Sequence, residues 1–392
     1  MSKPIILTFV AFYLPGYKSG GPVRTIANMV DQLGDDLDFR IITADRDSFD
    51  RDAYANVKID GWNTVGKAKV FYASHSNLSL VNLAHLIRKT PHDALYLNSF
   101  FNPCFSLRPL LLRRLGLIPD RPAVIAPRGE FSAAAIELKF WKKRPYIAFS
   151  KALGIYRNLT WQASSEYEVL DIRKAVGATA ERIIVAKDLP AATDDAMAEE
   201  IQNGRKPEAP LRVCFLSRIT PKKNLDYALR VFSEIKTPLE FHIYGVIDDE
   251  AYWKSCQKQI NQLPKHVAVR YHGLIDHGDV AKTMTKYDLF FFPTRGENFG
   301  HVIFEALAAG VPVLISDQTP WRNLEALGVG WDLPLSDIEK FKEVIKEQAL
   351  LDDDMRMSQR HRAKQYAKLI SADKNVLNDN LSMFTRLTIR NP

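Results

Sequence analysis

The sequence predicts an α/β protein of two doubly wound domains, each a parallel β-sheet covered by helices on both faces. Three observations support this fold class. The chain has 392 residues, which is long for one hydrophobic core and sufficient for two. Each half alternates short apolar runs with runs of helical periodicity. Between the halves, residues 188–210 contain three prolines and a polar run, which is typical of a linker.

This pattern predicts an N-terminal domain at residues 1–190 and a C-terminal domain at residues 205–375. The two domains should face each other across a cleft. Ligands of open parallel sheets bind outside the carboxyl ends of the strands, so we expect functional side chains in the loops that follow strands.

The first half is predicted to begin with a buried strand, because the apolar run Pro4–Leu14 is short and lacks the cleavage site of a signal peptide. Gly20–Pro22 forms a turn, and Val23–Leu33 has the periodicity of a helix. The predicted strands of this half are Ile5–Phe12, Phe39–Thr43, Ala94–Leu97 and Ala123–Ala126.

The second half repeats the alternation without a detectable sequence repeat. Its predicted strands are Arg212–Leu216, Leu239–Tyr244, Val267–Tyr271, Leu289–Pro293 and Val311–Ser316. Its predicted helices are Asn224–Ile235, Tyr252–Leu263 and Val280–Tyr287, with a further helix between the last two strands. The tail, residues 352–392, is also predicted to be helical. Its last apolar positions need a surface to pack on, and these are Leu377, Leu381, Phe384 and Leu387.

Composition limits the class of protein. Hydrophobic residues make up 46% of the chain and charged residues 25%, which is ordinary for a soluble globular protein. No run approaches the ~18 apolar residues that would span a membrane. The three cysteines, Cys104, Cys214 and Cys256, are far apart, so we expect neither a metal site nor a disulfide framework, and we place the protein in the cytoplasm.

The net charge of +7 is concentrated in one region. Residues 101–150 hold nine Lys or Arg and three Asp or Glu, and nine minus three gives +6. Two stretches within residues 105–150, at 109–115 and 140–149, interleave cations with bulky apolar side chains, which suits a helix lying on an anionic membrane. A nucleic-acid partner is not expected, because no recognition motif accompanies the charge. A solvated helix face over an ordinary core is the remaining interpretation.

The most informative motif spans residues 293–312, where a predicted strand ends in a glycine-flanked turn that opens a helix. Such a helix N-terminus offers N–H groups and a positive dipole end that suit a phosphate. Glu297 lies in the turn and Glu305 in the helix, where both would repel a phosphate. We therefore expect them to hold neutral hydroxyls beside it, on a ribose or a hexose. Taken singly, Glu305 is more simply a solvated helical acid, and Glu297 an ordinary acid at a helix N-terminus.

Two further loops follow predicted strands. Arg218 and Lys223 lie between a strand end and a helix start, where two cations would neutralise a diphosphate and stabilise it as a leaving group, although a solvated basic loop is the simpler alternative. Gly20 and Gly21 follow the first strand, where they would let the backbone approach a phosphate or a sugar closely. That loop lacks the dinucleotide fingerprint and is otherwise a plain turn. No P-loop and no Gly-x-Ser-x-Gly occurs, so kinases and serine hydrolases are not expected.

With these motifs, the chain resembles the retaining nucleotide-sugar glycosyltransferases of family 4, which have the GT-B fold. The resemblance rests on the Glu-x7-Glu spacing of Glu297 and Glu305, on Arg218 and Lys223, and on Gly20 and Gly21. Pro127-Arg128-Gly129-Glu130, followed by Lys142-Lys143, looks like a first-domain segment of polysaccharide-building members. The resemblance covers essentially the whole chain and is most specific in its C-terminal domain.

The resemblance implies a role for each matched residue. Arg218 and Lys223 bind the donor diphosphate and act with Glu297 as the catalytic set. Glu305 accepts hydrogen bonds from the ribose. Glu297 holds the transferred sugar, helped by the backbone of Asn298, Phe299 and Gly300. Gly20, Gly21 and Gly245 line the donor site, and the last helix, about residues 376–392, packs back on the first domain. Arg128 and Glu130 stand where several relatives carry a histidine near the sugar, so they are expected to contact the sugar or the acceptor.

These inferences predict a metal-independent retaining glycosyltransferase without a cofactor, which moves a hexose from a UDP- or GDP-sugar to a saccharide or lipid-linked saccharide in surface polysaccharide or lipopolysaccharide synthesis. It would be cytoplasmic, or peripheral on the inner membrane face. Two alternatives remain at this point, a nucleotide-sugar epimerase of the same fold and a non-catalytic nucleotide-sugar-binding protein.

Overall fold

The computed structural model describes residues 3–137, 140–177, 180, 182–192 and 209–388. The chain divides into two compact units. Unit 1 consists of Met1–Ala191 with Asp373–Pro392, and unit 2 consists of Ala192–Ala372. Most of the predicted linker, residues 193–208, lies outside the described residues, and so does Lys139 of the basic region.

Unit 1 contains an eight-stranded sheet in the order β3-β4-β2-β1-β5-β6-β7-β8, and all neighbours are parallel except β3 and β4, which pair antiparallel. Its strands are β1 Ile5–Phe9, β2 Asp38–Ala44, β3 Trp62–Val65, β4 Ala68–Ala73, β5 Ala94–Asn98, β6 Ala123–Ala126, β7 Thr160–Ala163 and β8 Arg182–Val185. Its helices are α1 Gly21–Leu33, α2 Leu80–Lys89, α3 Arg108–Arg114, α4 Ala133–Glu137, α5 Phe140–Ala152, α6 Glu166–Val176 and the C-terminal α13 Lys374–Thr388, and a π-helical turn spans Pro103–Leu107.

Unit 2 contains a six-stranded, all-parallel sheet in the order β11-β10-β9-β12-β13-β14. Its strands are β9 Leu211–Leu216, β10 Leu239–Tyr244, β11 Val267–Tyr271, β12 Leu289–Phe292, β13 Val313–Ser316 and β14 Gly330–Leu333. Its helices are α7 Leu225–Ser233, α8 Glu250–Ile260, α9 His277–Met284, α10 His301–Ala308, α11 Ile338–Leu350 and α12 Asp353–Ser371.

The central strands of both sheets are apolar because they are covered on both faces. In β12, all four residues of Leu289–Phe292 are buried, and β13 is buried throughout as well. Such continuous apolar runs are what a central parallel strand requires. The sequence therefore located β6, β10 and β11 at their observed bounds, whereas β1 ends at Phe9 rather than Phe12.

The C-terminal helix α13 belongs to unit 1. Phe384 is fully buried there, and its ring meets Phe39 and Tyr96 edge-on, with centroids 6.1 and 5.0 Å apart. Asn380 donates its side-chain amide to the carbonyl oxygen of Lys187 at 2.8 Å. The remaining apolar positions of the predicted tail, Leu377, Leu381 and Leu387, pack partly buried against the same core. The tail thus completes the core of the N-terminal unit.

Candidate active site

The candidate site of unit 2 lies where the sheet changes direction. From β9 the chain moves to β10 on one side, and it later returns to place β12 on the other side. The loops after β9 and β12 therefore leave neighbouring strands at the same edge, residues 217–224 from the first and 293–300 from the second. Ligands of open α/β sheets bind at such a switch point.

Hydrogen bonds join these two loops. The backbone N–H of Arg295 donates to the carbonyl oxygen of Lys222 at 2.8 Å, and the Thr294 hydroxyl donates to the same oxygen at 3.2 Å. The Asn224 amide donates to the carbonyl oxygen of Pro293 at 2.8 Å. Asn224 is buried with φ of 63°, a left-handed conformation that asparagine tolerates well and that starts α7. The two predicted motifs are therefore parts of one structure.

Lys223 and Glu297 form an ion pair at the centre of this junction. The Nζ atom of Lys223 contacts Oε1 of Glu297, and the side chains are only 14% and 13% exposed. The Thr294 hydroxyl also donates to Glu297 Oε1, at 3.1 Å. Burial favours the neutral acid, but Lys223 and Lys222 outweigh it, so the pKa of Glu297 lies below its ordinary value. Burial lowers the pKa of Lys223, and Glu297 partly opposes that shift.

Other charged groups surround the pair. Arg218 donates to Asp248 at 2.8 Å and is partly exposed. Arg295 is half-exposed, donates to the Asn224 side chain at 3.0 Å and lies 3.9 Å from a carboxylate oxygen of Asp226. Arg218 and Lys223, the two cations predicted to bind the diphosphate, thus each pair with an acid in this structure. The sequence alone did not single out Asp248 or Arg295. Asp248 lies outside the loop 217–224 that holds its partner Arg218, and Arg295 lies in the other loop, far in sequence from Asn224 and Asp226.

The turn after Glu297 leads directly into α10. Gly300 has φ of 82° and precedes the first residue of that helix, so the left-handed turn sets its start. The Glu297 N–H donates to the carbonyl oxygen of Gln318 at 3.0 Å. Asn298 and Phe299 are partly exposed within this turn. Glu305 lies further along α10, with Oε1 4.0 Å from Nδ1 of His277. The predicted acids are therefore on the turn and the helix that the sequence assigned to them.

Gly245 is required by its surroundings. A Cβ atom at this position would lie 1.8 Å from the backbone oxygen of Ser217, and φ is 130°. Its N–H donates to the carbonyl oxygen of Gly273 at 2.7 Å, and the Tyr271 hydroxyl donates to its carbonyl oxygen at 2.8 Å. Gly245 thereby brings the loops after β9, β10 and β11 together beside the switch point.

Gly20 and Gly21 lie at the start of α1 in unit 1. A Cβ at either position would meet no atom within 4 Å, so the space before this helix is open. The preceding loop is held by Asp47, whose Oδ2 accepts the backbone N–H of Tyr17 at 2.7 Å and of Lys18 at 3.0 Å. Asp47 is a loop anchor that the sequence gave no reason to select. Contact of these glycines with a donor stays a prediction.

Arg128 and Glu130 have partners within unit 1. Arg128 pairs with Asp188 and donates to Asn98 Oδ1 at 2.9 Å. Glu130 accepts from the Ser99 hydroxyl at 2.7 Å and from the backbone N–H of Phe100 at 2.5 Å. Burial raises the pKa of Glu130 despite these bonds. Their observed role is to hold the loops after β5 and β6, and contact with a sugar or acceptor stays a prediction.

The basic region divides into two different structures. In α3, Leu110 and Leu112 are buried in the core of unit 1, and of the leucines at 109–115 Leu115, just after the helix, is 60% exposed. In α5, by contrast, the two bulky side chains Trp141 and Phe149 are 62% and 63% exposed. The larger exposed apolar side chains thus lie in the second of the two predicted stretches.

The outward face of α5 is apolar along its length. Trp141, Pro145 and Phe149 recur every four residues and are all exposed, and so are Ala148 and Ala152. Tyr146 and Ile147, on the opposite side, pack on the core. Exposed cations flank the apolar face, namely Lys142, Arg144 and Lys151. We call these eight exposed residues the α5 surface.

Among the described residues, none of the helices combines the length and the apolar composition that a membrane span needs. Within the same residues, no group of three or more His, Cys, Asp or Glu side chains is placed to hold a metal ion. Metal independence itself stays a prediction.

A protein-family model matches a segment of the chain that lies in unit 2. Residues 196–369 match the family model described as Glycosyl transferases group 1, which covers less than half of the chain and most of unit 2. The match falls on unit 2.

Curated relatives match parts of the chain. A GDP-mannose-dependent monoacylated alpha-(1-6)-phosphatidylinositol monomannoside mannosyltransferase of Corynebacterium glutamicum is 25% identical over 179 residues, 44% of this chain and 46% of that protein. A phosphatidyl-myo-inositol mannosyltransferase of Mycobacterium leprae is 30% identical over 167 residues, 41% of this chain and 42% of that protein. The matched segments thus span less than half of these two mannosyltransferases.

Solved structures match the whole chain. Sucrose-phosphate synthase from Thermosynechococcus elongatus has a TM-score of 0.72 at 16% identity, covering 98% of this chain and 99% of that one. HepE of Anabaena, in complex with UDP-glucose, has a TM-score of 0.69 at 16% identity with the same coverage. WaaG, a glycosyltransferase involved in lipopolysaccharide biosynthesis, has a TM-score of 0.67 at 16% identity, covering 97% and 99%. At this identity the likeness shows the fold alone, and the predicted GT-B class of two parallel-sheet α/β domains is confirmed.

Proposed function

We propose that this protein is a retaining glycosyltransferase that moves a hexose from a UDP- or GDP-sugar to a saccharide or lipid-linked saccharide in surface polysaccharide synthesis. The observation that carries the proposal is the Lys223–Glu297 ion pair, enclosed at the switch point between β9 and β12. A cation and an acid in contact, with side chains only 14% and 13% exposed, are suited to a ligand that presents an anion beside neutral hydroxyls.

When the donor binds, Lys223 and Glu297 separate and each takes a part of the donor as its new partner. Its diphosphate brings oxygen anions to Lys223, Arg218 and the N-terminus of α10, where they replace Glu297 as the partner of Lys223. The Glu297 carboxylate, released from Lys223, then accepts hydrogen bonds from hydroxyls of the hexose. The ribose hydroxyls donate to Glu305. Lys223 and Glu297, which pair with each other in the free protein, thus bind different parts of the donor.

Transfer breaks the bond between the sugar C1 and the diphosphate oxygen and forms a bond from C1 to the acceptor oxygen on the same face. Negative charge grows on the departing diphosphate, and Arg218 and Lys223 oppose it, a contribution of about 3 kcal/mol for each donor. The acceptor proton passes to an oxygen of the departing phosphate. Because fixed cations supply the neutralising charge, we propose that the reaction needs no metal ion.

The relatives support the choice of donor. Two mannosyltransferases are among the curated relatives, and one is named as GDP-mannose-dependent. HepE has been solved with UDP-glucose. Hexosyl donors carrying either nucleotide therefore suit proteins similar to this one.

We propose a lipid-linked acceptor at an anionic membrane surface, and the α5 surface is the supporting feature. Exposed aromatic rings flanked by cations are the composition of interfacial helices. Both mannosyltransferases among the relatives are named for phosphatidylinositol acceptors, and WaaG for lipopolysaccharide synthesis. The protein would then work on the inner face of the membrane, where anionic lipids attract its basic residues.

The test is incubation of the purified protein with labelled UDP- and GDP-hexoses without an acceptor, followed by product analysis. Slow release of nucleotide and free hexose is expected for a transferase. Conversion of the bound sugar to its epimer, or binding without any reaction, would overturn the proposal. Lys223→Ala should reduce release by roughly 10²- to 10³-fold, since it removes one charge-stabilising donor. The matched control is Lys265→Ala, which removes an exposed lysine of the same unit and should leave the rate unchanged.

A further inference from the structure

The segment Asp317–Leu324, which follows β13, lies against the turn that contains Glu297. We infer that Trp321, in this segment, is a positioning residue for the sugar-binding turn Glu297–Gly300. The inference rests on the proposed function, because it assigns the turn to the hexose. The sequence motifs did not include Trp321, which lies 24 residues beyond Glu297.

Trp321 donates a hydrogen bond to the turn and packs its ring against it. Its indole Nε1 donates to the carbonyl oxygen of Phe299 at 2.6 Å. Its ring meets the Phe299 ring edge-on at 5.5 Å between centroids and lies 6.4 Å from the Phe304 ring of α10. Trp321 is only 5% exposed, so water competes little for this bond.

The segment that carries Trp321 is itself fixed. The carbonyl oxygen of Gln318 accepts the N–H of Glu297 at 3.0 Å, so the segment holds both ends of the turn. The buried Thr319 hydroxyl accepts the backbone N–H of Trp321 at 3.3 Å. Asp332 of β14 accepts the N–H of Leu324 at 2.9 Å. The segment that carries the indole is therefore anchored to the sheet.

The hydrogen bond to the Phe299 carbonyl also orients a hydrogen-bond donor, the backbone N–H of Gly300. The carbonyl of Phe299 and the N–H of Gly300 belong to one planar peptide, so orienting the first orients the second in the opposite direction. On its other side Gly300 is held by α10, where its carbonyl oxygen accepts the N–H of Ile303 at 2.8 Å, so the indole bond fixes the remaining peptide of the turn. Trp321 thereby orients the Gly300 N–H, and Gly300 lies next to Glu297, since a Cβ at Gly300 would be 3.6 Å from Glu297 Cγ. Both groups are assigned to the hexose and not to the nucleotide.

This division gives a test that separates positioning from general destabilisation. Trp321→Phe keeps an aromatic ring but removes the N–H donor. We expect its affinity for the nucleoside diphosphate alone, UDP or GDP, to stay within about twofold of wild type. Its kcat for hydrolysis of the intact nucleotide sugar should fall at least tenfold, because loss of one buried bond and a small shift of the turn both act on the hexose. Calorimetric titration and a hydrolysis assay measure the two quantities.

Two further variants complete the experiment. Trp331→Phe makes the same change at a tryptophan of similar burial, 9% exposed, in β14, and should alter neither quantity. Thr319→Val removes the hydroxyl that holds the Trp321 backbone and should give the same selective pattern at smaller amplitude, which keeps the test available if Trp321→Phe folds poorly. Equal losses for the nucleoside diphosphate and the nucleotide sugar would overturn the inference, and so would no loss. Failure of wild type to bind or hydrolyse any nucleotide sugar would instead reject the proposed function, and the role of Trp321 with it.

Discussion

The ammonium group of Lys223 contacts a carboxylate oxygen of Glu297, 74 residues later in the chain. The sequence assigns these residues to different parts of a donor, the diphosphate and the hexose. Their contact in the ligand-free protein explains how both charges are kept in a nearly enclosed place, since an unpaired charge there would be costly. It also means that the donor must compete with Glu297 for Lys223.

The ion pair predicts a pH dependence of stability. The pKa of Glu297 is lower in the folded protein than its ordinary value of 4.5, so its stabilising contribution is complete above about pH 4.5 and is lost as pH falls through the folded pKa. Wild type should exceed Glu297→Gln in free energy of unfolding by about 3 kcal/mol at pH 7, and the difference should shrink below pH 4.5. Urea unfolding of both proteins between pH 3 and pH 7 measures this difference.

A second acid provides the control for that titration. Asp279→Asn changes an exposed acid in the first turn of α9, so its effect should stay within about 0.5 kcal/mol at every pH. A difference between wild type and Glu297→Gln that does not change from pH 7 to pH 3 would contradict the ion-pair assignment.

Gly245 gives a prediction about architecture. Gly245→Ala should destabilise unit 2 by about 3 kcal/mol or more, because the new Cβ would lie 1.8 Å from a backbone oxygen at a φ of 130°. Gly278→Ala is the matched change, since a Cβ there meets nothing within 4 Å and the residue lies in the first turn of α9. That variant should be neutral or stabilised by about 0.5 kcal/mol. Thermal unfolding distinguishes the two, and equal melting temperatures would contradict the geometry.

The sequence predicted the parallel sheets well because burial on both faces leaves a continuous apolar signal, as in Leu289–Phe292. It missed the β3–β4 hairpin. Strand β3, Trp62–Val65, alternates exposed with partly buried residues and lies at the sheet edge, so its strand signal is weak. Periodicity reports what a segment buries, and an edge strand buries little.

The sequence predicted where the residues of the candidate site lie relative to the strands, but not which of them contact each other. Glu297, Lys223 and Gly245 each follow a strand, which local sequence reveals. The ion pairs Lys223–Glu297 and Arg218–Asp248, and the bond from Trp321 to Phe299, depend on which strands are neighbours. Strand order is set by packing over the whole sheet. A single sequence therefore names the motifs but does not report the contacts between them.

The C-terminal helix gives a third prediction. Phe384→Ala should reduce the stability of unit 1 by about 3–4 kcal/mol, because the ring is fully buried between Phe39 and Tyr96 and its loss leaves a cavity. Leu369→Ala, in α12, removes an apolar side chain that is largely exposed and should cost less than about 0.5 kcal/mol. Denaturant unfolding measures both, and a loss at Phe384 no larger than that at Leu369 would show that the tail does not support this core.

The α5 surface predicts binding to anionic vesicles. The double variant Trp141→Ala/Phe149→Ala removes the two largest exposed apolar groups of that surface. Full insertion of each ring contributes about 1.5–3 kcal/mol, so partial insertion of both should make the loss in vesicle affinity at least tenfold. Cosedimentation with vesicles containing phosphatidylserine measures the affinity, and raising the salt should weaken wild-type binding because cations flank the rings.

The comparison variant for this experiment is Val81→Ala. Val81 is largely exposed on α2 of the same unit, outside the α5 surface, so vesicle affinity should not change. Hydrolysis of a nucleotide sugar in solution should be equal in all three proteins, since no residue changed is assigned to the donor. Equal vesicle binding by wild type and the double variant, or no binding by wild type to either anionic or neutral vesicles, would remove the membrane from the proposal. In that case the exposed face of α5 would have to be explained by a different partner, and the acceptor would be sought among soluble saccharides.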